Sequence, residues 1–216
     1  DPRVVGELEI PGFSSYLHPY GENIIVGVGQ NVDPDTLART GLQISMFDVS
    51  DFKNPERIKH YVEGGSDSSS SESEYNHQAF RLLEDSGLLI LPVSKYSYRY
   101  GDASGSFDGF VVYSLETEKI QNYFNVSHAS DSTTFIGGCW SPSYMQSRSI
   151  VVDGDLMTFK GHSILSHDLS DRVRDAEPIN LDDGLTNNCY PTYFLMEPMV
   201  FPIEPSVVVD PVDSNP

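Results

Sequence analysis

The chain has 216 residues, 38% of them hydrophobic and 11% aromatic, which is enough to bury a substantial core and suits one all-β domain or part of a larger one. Acidic residues outnumber basic ones by 32 to 13, and the resulting formal charge of −19 repels phosphate backbones and anionic membrane surfaces, arguing against nucleic-acid binding. No run approaches the eighteen apolar residues of a membrane-spanning helix, and the start, Asp1-Pro2-Arg3-Val4, lacks the form of a signal peptide, so a mature fragment or one segment of a longer polypeptide is expected.

Val4 to Ile10 alternates apolar and polar residues and stops at Pro11-Gly12, which predicts a strand and a turn. Strands are expected next over Ser14 to Pro19 and Asn23 to Gly29, split by Tyr20-Gly21-Glu22. A loop from Gln30 to Thr40 then leads into Gln43 to Val49, and Arg57 to Val62 supplies an outer strand. The stretch Gly64 to Glu74, eleven residues of Gly, Ser, Asp and Glu, reads as a mobile polar insertion, with phosphorylation or metal binding as lesser readings. A second unit follows, with strands over Tyr75 to Leu83, Leu88 to Val93, Phe110 to Ser114 and Ile120 to Val126. A third has Arg148 to Val152, Leu156 to Phe159, Ser163 to Ser166 and a weaker strand near Arg172-Val173. The tail beyond Pro191 carries Pro198, Pro202, Pro205, Pro211 and Pro216, which favours extended chain over helix.

One phrase recurs: Gln43-Ile44-Ser45-Met46-Phe47-Asp48-Val49-Ser50-Asp51, then Phe110-Val111-Val112-Tyr113-Ser114-Leu115-Glu116-Thr117-Glu118, then Ser163-Ile164-Leu165-Ser166-His167-Asp168-Leu169-Ser170-Asp171. Each copy is a β-rich run closing on a polar turn, and Asp48, Ser114 and Asp168 stand 66 and 54 residues apart. Such self-similarity predicts a repeat of antiparallel, four-stranded units, about three in number, arranged as propeller blades over residues 1–180, followed by a Pro-rich extension over 181–216. Three blades do not close a ring, so part of a larger propeller is expected.

Gly6-Glu7-Leu8-Glu9-Ile10-Pro11-Gly12-Phe13-Ser14-Ser15-Tyr16-Leu17-His18-Pro19, Ile44 to Asp51 with Asn54-Pro55, Ser73 to Phe80 and Arg148 to Val151 together resemble the secreted C-terminal β-propeller domain family of archaeal and bacterial exported proteins. The resemblance covers residues 4 to 171, with its motifs in order. It implies an extracellular or cell-surface propeller without a settled catalytic activity, and it supplies no catalytic residue. Leu181 to Pro216, with Cys189, lies outside it.

The residues name few sites. Cys139 and Cys189 are the only cysteines, lie in no metal-binding spacing, and are expected to form one disulfide closing a loop of about fifty residues, worth ~2–4 kcal/mol. Asn125-Val126-Ser127 is a glycosylation acceptor sequence. Tyr96, Tyr98 and Tyr100, interleaved with Lys95 and Arg99, offer an amphipathic loop for a protein or glycan partner. Calcium is the ion that hard oxygen ligands such as Asp153 and Asp155, or Asp33 and Asp35, or Asp182 and Asp183, would suit, although no EF-hand loop is present and Asp-Gly pairs more commonly make hairpin turns. Asp48, Asp51, Asp168 and Asp171 are expected to cap turns.

Catalytic patterns are absent from the sequence. His18, His60, His77, His128, His162 and His167 are dispersed, with no His-Glu-x-x-His, and no Gly-x-Ser-x-Gly elbow occurs. His18 and His77 are read as structural histidines bonded to backbone. The expected function is therefore an extracellular, non-catalytic binding or scaffold module, whose partners are a protein, a glycan or further blades. The alternatives are a structural subunit of a cell-surface assembly and, third, a hydrolase or metalloenzyme.

Overall fold

The computed structural model describes residues 1, 3–64, 68–96, 106–128, 146–160, 163–171 and 177–178. Within them every extended element pairs antiparallel, in three sheets that follow one another along the chain. The first sheet is a meander of β1 (Phe13–Tyr20), β2 (Ile24–Val32), β3 (Arg39–Asp48) and β4 (Glu56–Val62) in that spatial order. Its central strands are buried on both faces, whereas β1 and β4 alternate between exposed and covered positions, as edge strands do.

The second sheet departs from the expected four strands. Its inner position is shared by two short pieces, β5 (Ser68–Ser70) and β6 (Arg81–Leu83), which pair with opposite ends of β7 (Leu88–Tyr96); β8 (Phe107–Ser114) and β9 (Gln121–Ser127) complete it. The strand predicted over Tyr75 to Leu83 is thus a correction: 3-10 turns occupy Glu72–Glu74 and His77–Ala79, and only Arg81–Leu83 is extended. Local side-chain bonds outcompete the ladder there. Asn76 Oδ1 accepts from the Gln78 amide at 3.3 Å, and Ser71 and Glu74 form a reciprocal cap, Glu74 Oε2 accepting the Ser71 amide at 2.9 Å.

A third sheet contains β10 (Arg148–Val152), β11 (Asp155–Lys160), β12 (Ser163–Asp168) and β13 (Glu177–Pro178). Its last strand falls at Glu177–Pro178, while the predicted position, Arg172-Val173, lies outside the described residues, as do residues 181–216.

Val4 to Ile10 is a second correction, because the segment joins no sheet. Glu7, Leu8 and Glu9 are all exposed, so its alternation has no apolar face to cover. Instead the chain presses on the β3–β4 turn, where a side chain at Gly6 would fall 2.1 Å from the Phe52 carbonyl oxygen; only glycine fits.

Two apolar layers hold the sheets together. Val26, Val28, Leu42, Ile44 and Met46 of the first pack on Leu89, Leu91, Val93, Val111 and Tyr113 of the second. The opposite face of the second, Leu88, Ile90, Phe110, Val112, Phe124 and Val126, packs on Leu156, Val151 and Leu165 of the third. The strand period of two gives the middle sheet two apolar faces, which explains the near-continuous run Leu88-Leu89-Ile90-Leu91.

Candidate functional site

Register places the ends of all strands on one of two rims. On one rim lie residues 21–23, 49–55, 84–87, 115–120, the two-residue Asp153-Gly154 turn and the β12–β13 connection. The repeated phrase ends here. Asp48 Oδ1 accepts the Ser50 amide at 2.8 Å, Asp168 Oδ1 accepts the Ser170 amide at 2.7 Å, and Asp51 accepts Asn54 Nδ2 on Oδ2 at 2.8 Å and the Lys53 amide on Oδ1 at 2.9 Å. These bonds hold the Asp48 and Asp51 carboxyls below the usual range, so these acids serve the turns as expected.

The opposite rim carries Asp33–Ala38, the chain leaving β4, the two-residue β11–β12 connection, and the β7–β8 and β9–β10 connections, the last two longer than any on the first rim. Charged and aromatic side chains gather below it. Glu63, only 4% exposed, receives Lys95 Nζ on Oε1 at 2.9 Å and, on Oε2, the hydroxyls of Tyr113 at 2.7 Å and Tyr61 at 3.3 Å. The Lys95 ammonium also sits 5.3 Å from the centre of the Phe107 ring. Burial first, and the Glu63 charge second, push the Tyr61 phenol up to about 12 and Tyr113 well above its ordinary value, so both donate to Glu63 throughout the physiological range. This node ties the first sheet to the second and leaves no carboxylate oxygen unpaired.

A second cluster joins the second sheet to the third. Asp108 accepts from Ser94 Oγ at 2.6 Å and pairs with Lys160 Nζ at 2.8 Å. Beside it, His128 Nε2 lies 2.8 Å from Thr158 Oγ1, and its ring is 5.6 Å from that of Phe110. Burial, reinforced by Lys160 and opposed by Asp108, lowers the His128 pKa to about 4, so this imidazole is neutral at pH 7.

Tyr96 stands at the upper end of β7 opposite Ser68 and is 49% exposed, at the mouth of the β7–β8 connection; Tyr98 and Tyr100 lie outside the described residues. Asp153 and Asp155 bracket the β10–β11 turn on the far rim, exposed, with Asp153 in the left-handed region at φ 53°. Among the described residues no group of three or more His, Cys, Asp and Glu is placed to hold a metal ion. Asp33 is committed to its own loop, Oδ1 accepting the amides of Asp35 and Thr36 and the Thr36 hydroxyl at 2.8–3.0 Å. Asn125 is exposed on β9. Cys139, Cys189, His162, Asp182 and Asp183 lie outside the described residues. His18 bonds the Tyr16 hydroxyl at 3.0 Å, not backbone, and its ring lies 4.7 Å from that of Phe80, tilted by 36°; His77 is exposed at the head of a 3-10 turn.

The polar insertion is a further correction where it is described. Ser69 and Ser73 are buried; Ser69 Oγ donates to the Glu63 carbonyl at 3.0 Å and accepts the Leu42 amide at 2.8 Å, and Gln30 Nε2 donates to Glu74 at 2.8 Å. Glu72 reaches the third sheet, accepting the Ser147 amide at 2.7 Å and pairing with Arg148 Nη1 at 3.2 Å. Composition hid this, because a serine's role depends on which donors the fold brings to it. Glu63, Asp108, His128 and Lys160 carried no motif either.

The family model of the beta propeller domain matches residues 1–172, well over half of the chain. The chain belongs to the beta propeller family. Its three sheets are the blades, with β1, β5 with β6, and β10 as inner strands and β4, β9 and β13 as outer ones. An uncharacterized protein of Archaeoglobus fulgidus is 36% identical to this propeller over 105 residues, 49% of the chain. An uncharacterized protein of Methanocaldococcus jannaschii is 44% identical over 61 residues, 28% of the chain. The chain spans 15% and 9% of the length of these curated relatives. No solved structure shows significant similarity to it.

Proposed function

We propose that this propeller is a non-catalytic binding module of an exported or cell-surface protein, and that it engages a protein or glycan through the rim of long connections. The observation that carries this reading is the asymmetry of the rims: the β7–β8 and β9–β10 connections, longer than any on the other rim, both leave from this one, with Tyr96 half exposed above two polar clusters, while Asp48 and Asp168 cap turns on the other. Binding surfaces of this kind place variable loops on a scaffold whose own residues are locked by packing. The Glu63 and Asp108 clusters supply that rigidity through their ion pairs with Lys95 and Lys160. Surface location is supported by the resemblance to exported propellers.

The test is a glycan-array and cell-envelope binding measurement with wild-type protein, Tyr96→Ser on the loop rim and Asp153→Ser on the turn rim. Loss of binding on Tyr96→Ser alone is expected; equal binding by both variants overturns the loop-rim reading. A structural subunit is favoured by a different observation. Ile150 and Val152 of the third blade, on the side away from the second, are 38% and 45% exposed, an apolar flank suited to a neighbouring sheet.

A further inference from the structure

The outer strands of the first two blades protect their open edges differently. In β4 the sequence Glu-Arg-Ile-Lys-His-Tyr-Val carries three charged residues, Glu56 exposed and Arg57 and Lys59 half-covered, with Lys59 Nζ donating to the Leu115 carbonyl at 2.5 Å; charge along an outer strand is one means by which sheet proteins discourage pairing with another chain. In β9 the sequence Gln-Asn-Tyr-Phe-Asn-Val-Ser has no charge and no proline, although one edge pairs with β8 and no strand among the described residues pairs with the other. Uncharged, β-prone edges of this length are templates for aggregation.

The acceptor triplet lies on this strand. Alternation buries Phe124 and Val126 against the third blade and exposes Asn125 and Ser127, so the asparagine and the hydroxyl two residues on share the outward face. Asn122 Nδ2 donates to Asn125 Oδ1 at 2.8 Å, engaging the carbonyl oxygen and leaving Asn125 Nδ2 with no hydrogen bond among the described residues.

We propose that Asn125 carries an N-linked glycan and that the glycan guards the open edge of β9. In the transfer, Asn125 Nδ2 attacks the anomeric carbon of a lipid-phosphate-linked oligosaccharide. The N–C bond forms, the C–O bond to phosphate breaks, the lipid phosphate leaves with the electron pair, and the proton lost from Nδ2 passes to the transferring enzyme. The bulky, hydrated sugar then projects sideways from the blade, blocking edge-to-edge pairing while leaving the loop rim clear. The inference rests on the surface location proposed above.

The experiment is mass analysis of the peptide containing residues 121–127 in protein from the cells that naturally make it, beside protease accessibility of the same protein on intact cells. A glycan-sized mass increase is expected, abolished by Asn125→Gln and Ser127→Ala and retained by Ser127→Thr. Size-exclusion chromatography should show the unglycosylated variants forming oligomers that the modified protein does not. Protease-accessible protein with an unmodified Asn125 overturns the glycan alone. Protease-protected protein overturns the surface reading and the glycan with it, and a modified protein that stays monomeric after its glycan is removed overturns the guarding role.

Discussion

Tyr113 shows how one side chain can serve packing and polarity at once. Its ring lies 5.4 Å from that of Tyr61 in an edge contact, and its hydroxyl supplies the shorter of the two phenol bonds to Glu63. Tyr113→Phe keeps the ring and removes that donor, leaving a buried carboxylate oxygen with only the 3.3 Å bond from Tyr61. Bonds to a charged acceptor are worth about 1.5–3 kcal/mol, and a loss of that size is expected in urea unfolding of the variant. Tyr61→Phe should cost less, its bond being longer and its site more open. Leu37 tests a different cost: it sits at φ 58° with 76% of its surface exposed, at the tip of the Asp33–Ala38 loop. Leu37→Gly relieves a left-handed conformation that disfavours branched residues by about 1–2 kcal/mol, partly offset by glycine's greater freedom when unfolded, so a gain of roughly 0.5–1 kcal/mol should appear in the same measurement. The inward side of Tyr113 was legible from alternation with Val111. Its partner was not, because Glu63 ends a stretch whose neighbours in sequence are glycine and serine.

Among the elements, the repeated phrase was legible because its chemistry is local. Asp48 and Asp168 bond amides two residues away, so the same short sequence makes the same turn wherever it occurs. The segment Ser68–Ala79 was not legible as structure, because its bonds run to distant partners: Gln30, Leu42, Ser147 and Arg148. Glu72 is the strongest of these links, joining the entry to the second blade with the start of β10. Glu72→Ala leaves the Ser147 amide without its acceptor and the Arg148 guanidinium without its carboxylate, at a cost of about 2–4 kcal/mol by the scale for one partner removed from a covered ion pair. The third blade should loosen first. Hydrogen exchange read by mass spectrometry should show faster exchange in peptides of β10 and β11, with β2 and β3 unchanged; equal acceleration in all blades would mean that Glu72 acts on global stability and not on blade attachment.

Across the whole molecule the two blade interfaces are built from different polar groups, and acid should separate them. The first rests on the Glu63 node, with both phenols protonated and unable to change charge below pH 10. The second contains two covered imidazoles. His128 faces Lys160 and Asp108 and bonds Thr158, while His167 stacks 4.3 Å from Phe124 with both ring nitrogens buried and unbonded. The His128 pKa falls from 6.5 in the unfolded chain to about 4 in the folded one, so between those values the unfolded state binds the additional proton. Its contribution is therefore complete above pH 6.5 and is lost as pH falls toward 4, an effect on the order of 2 kcal/mol once partial contact with water is allowed for. Lowering pH from 7 to 4.5 should accelerate exchange in β10–β12 before β2–β3, and His128→Gln, which cannot be protonated, should flatten that dependence while leaving Asp48 and Asp51 to govern losses near and below pH 4. Uniform acceleration in all three blades at pH 4.5, or an unchanged profile in His128→Gln, would place the acid-sensitive step elsewhere. Selective acceleration in β10–β12, by contrast, would leave the interface of the first two blades intact while the third loosens.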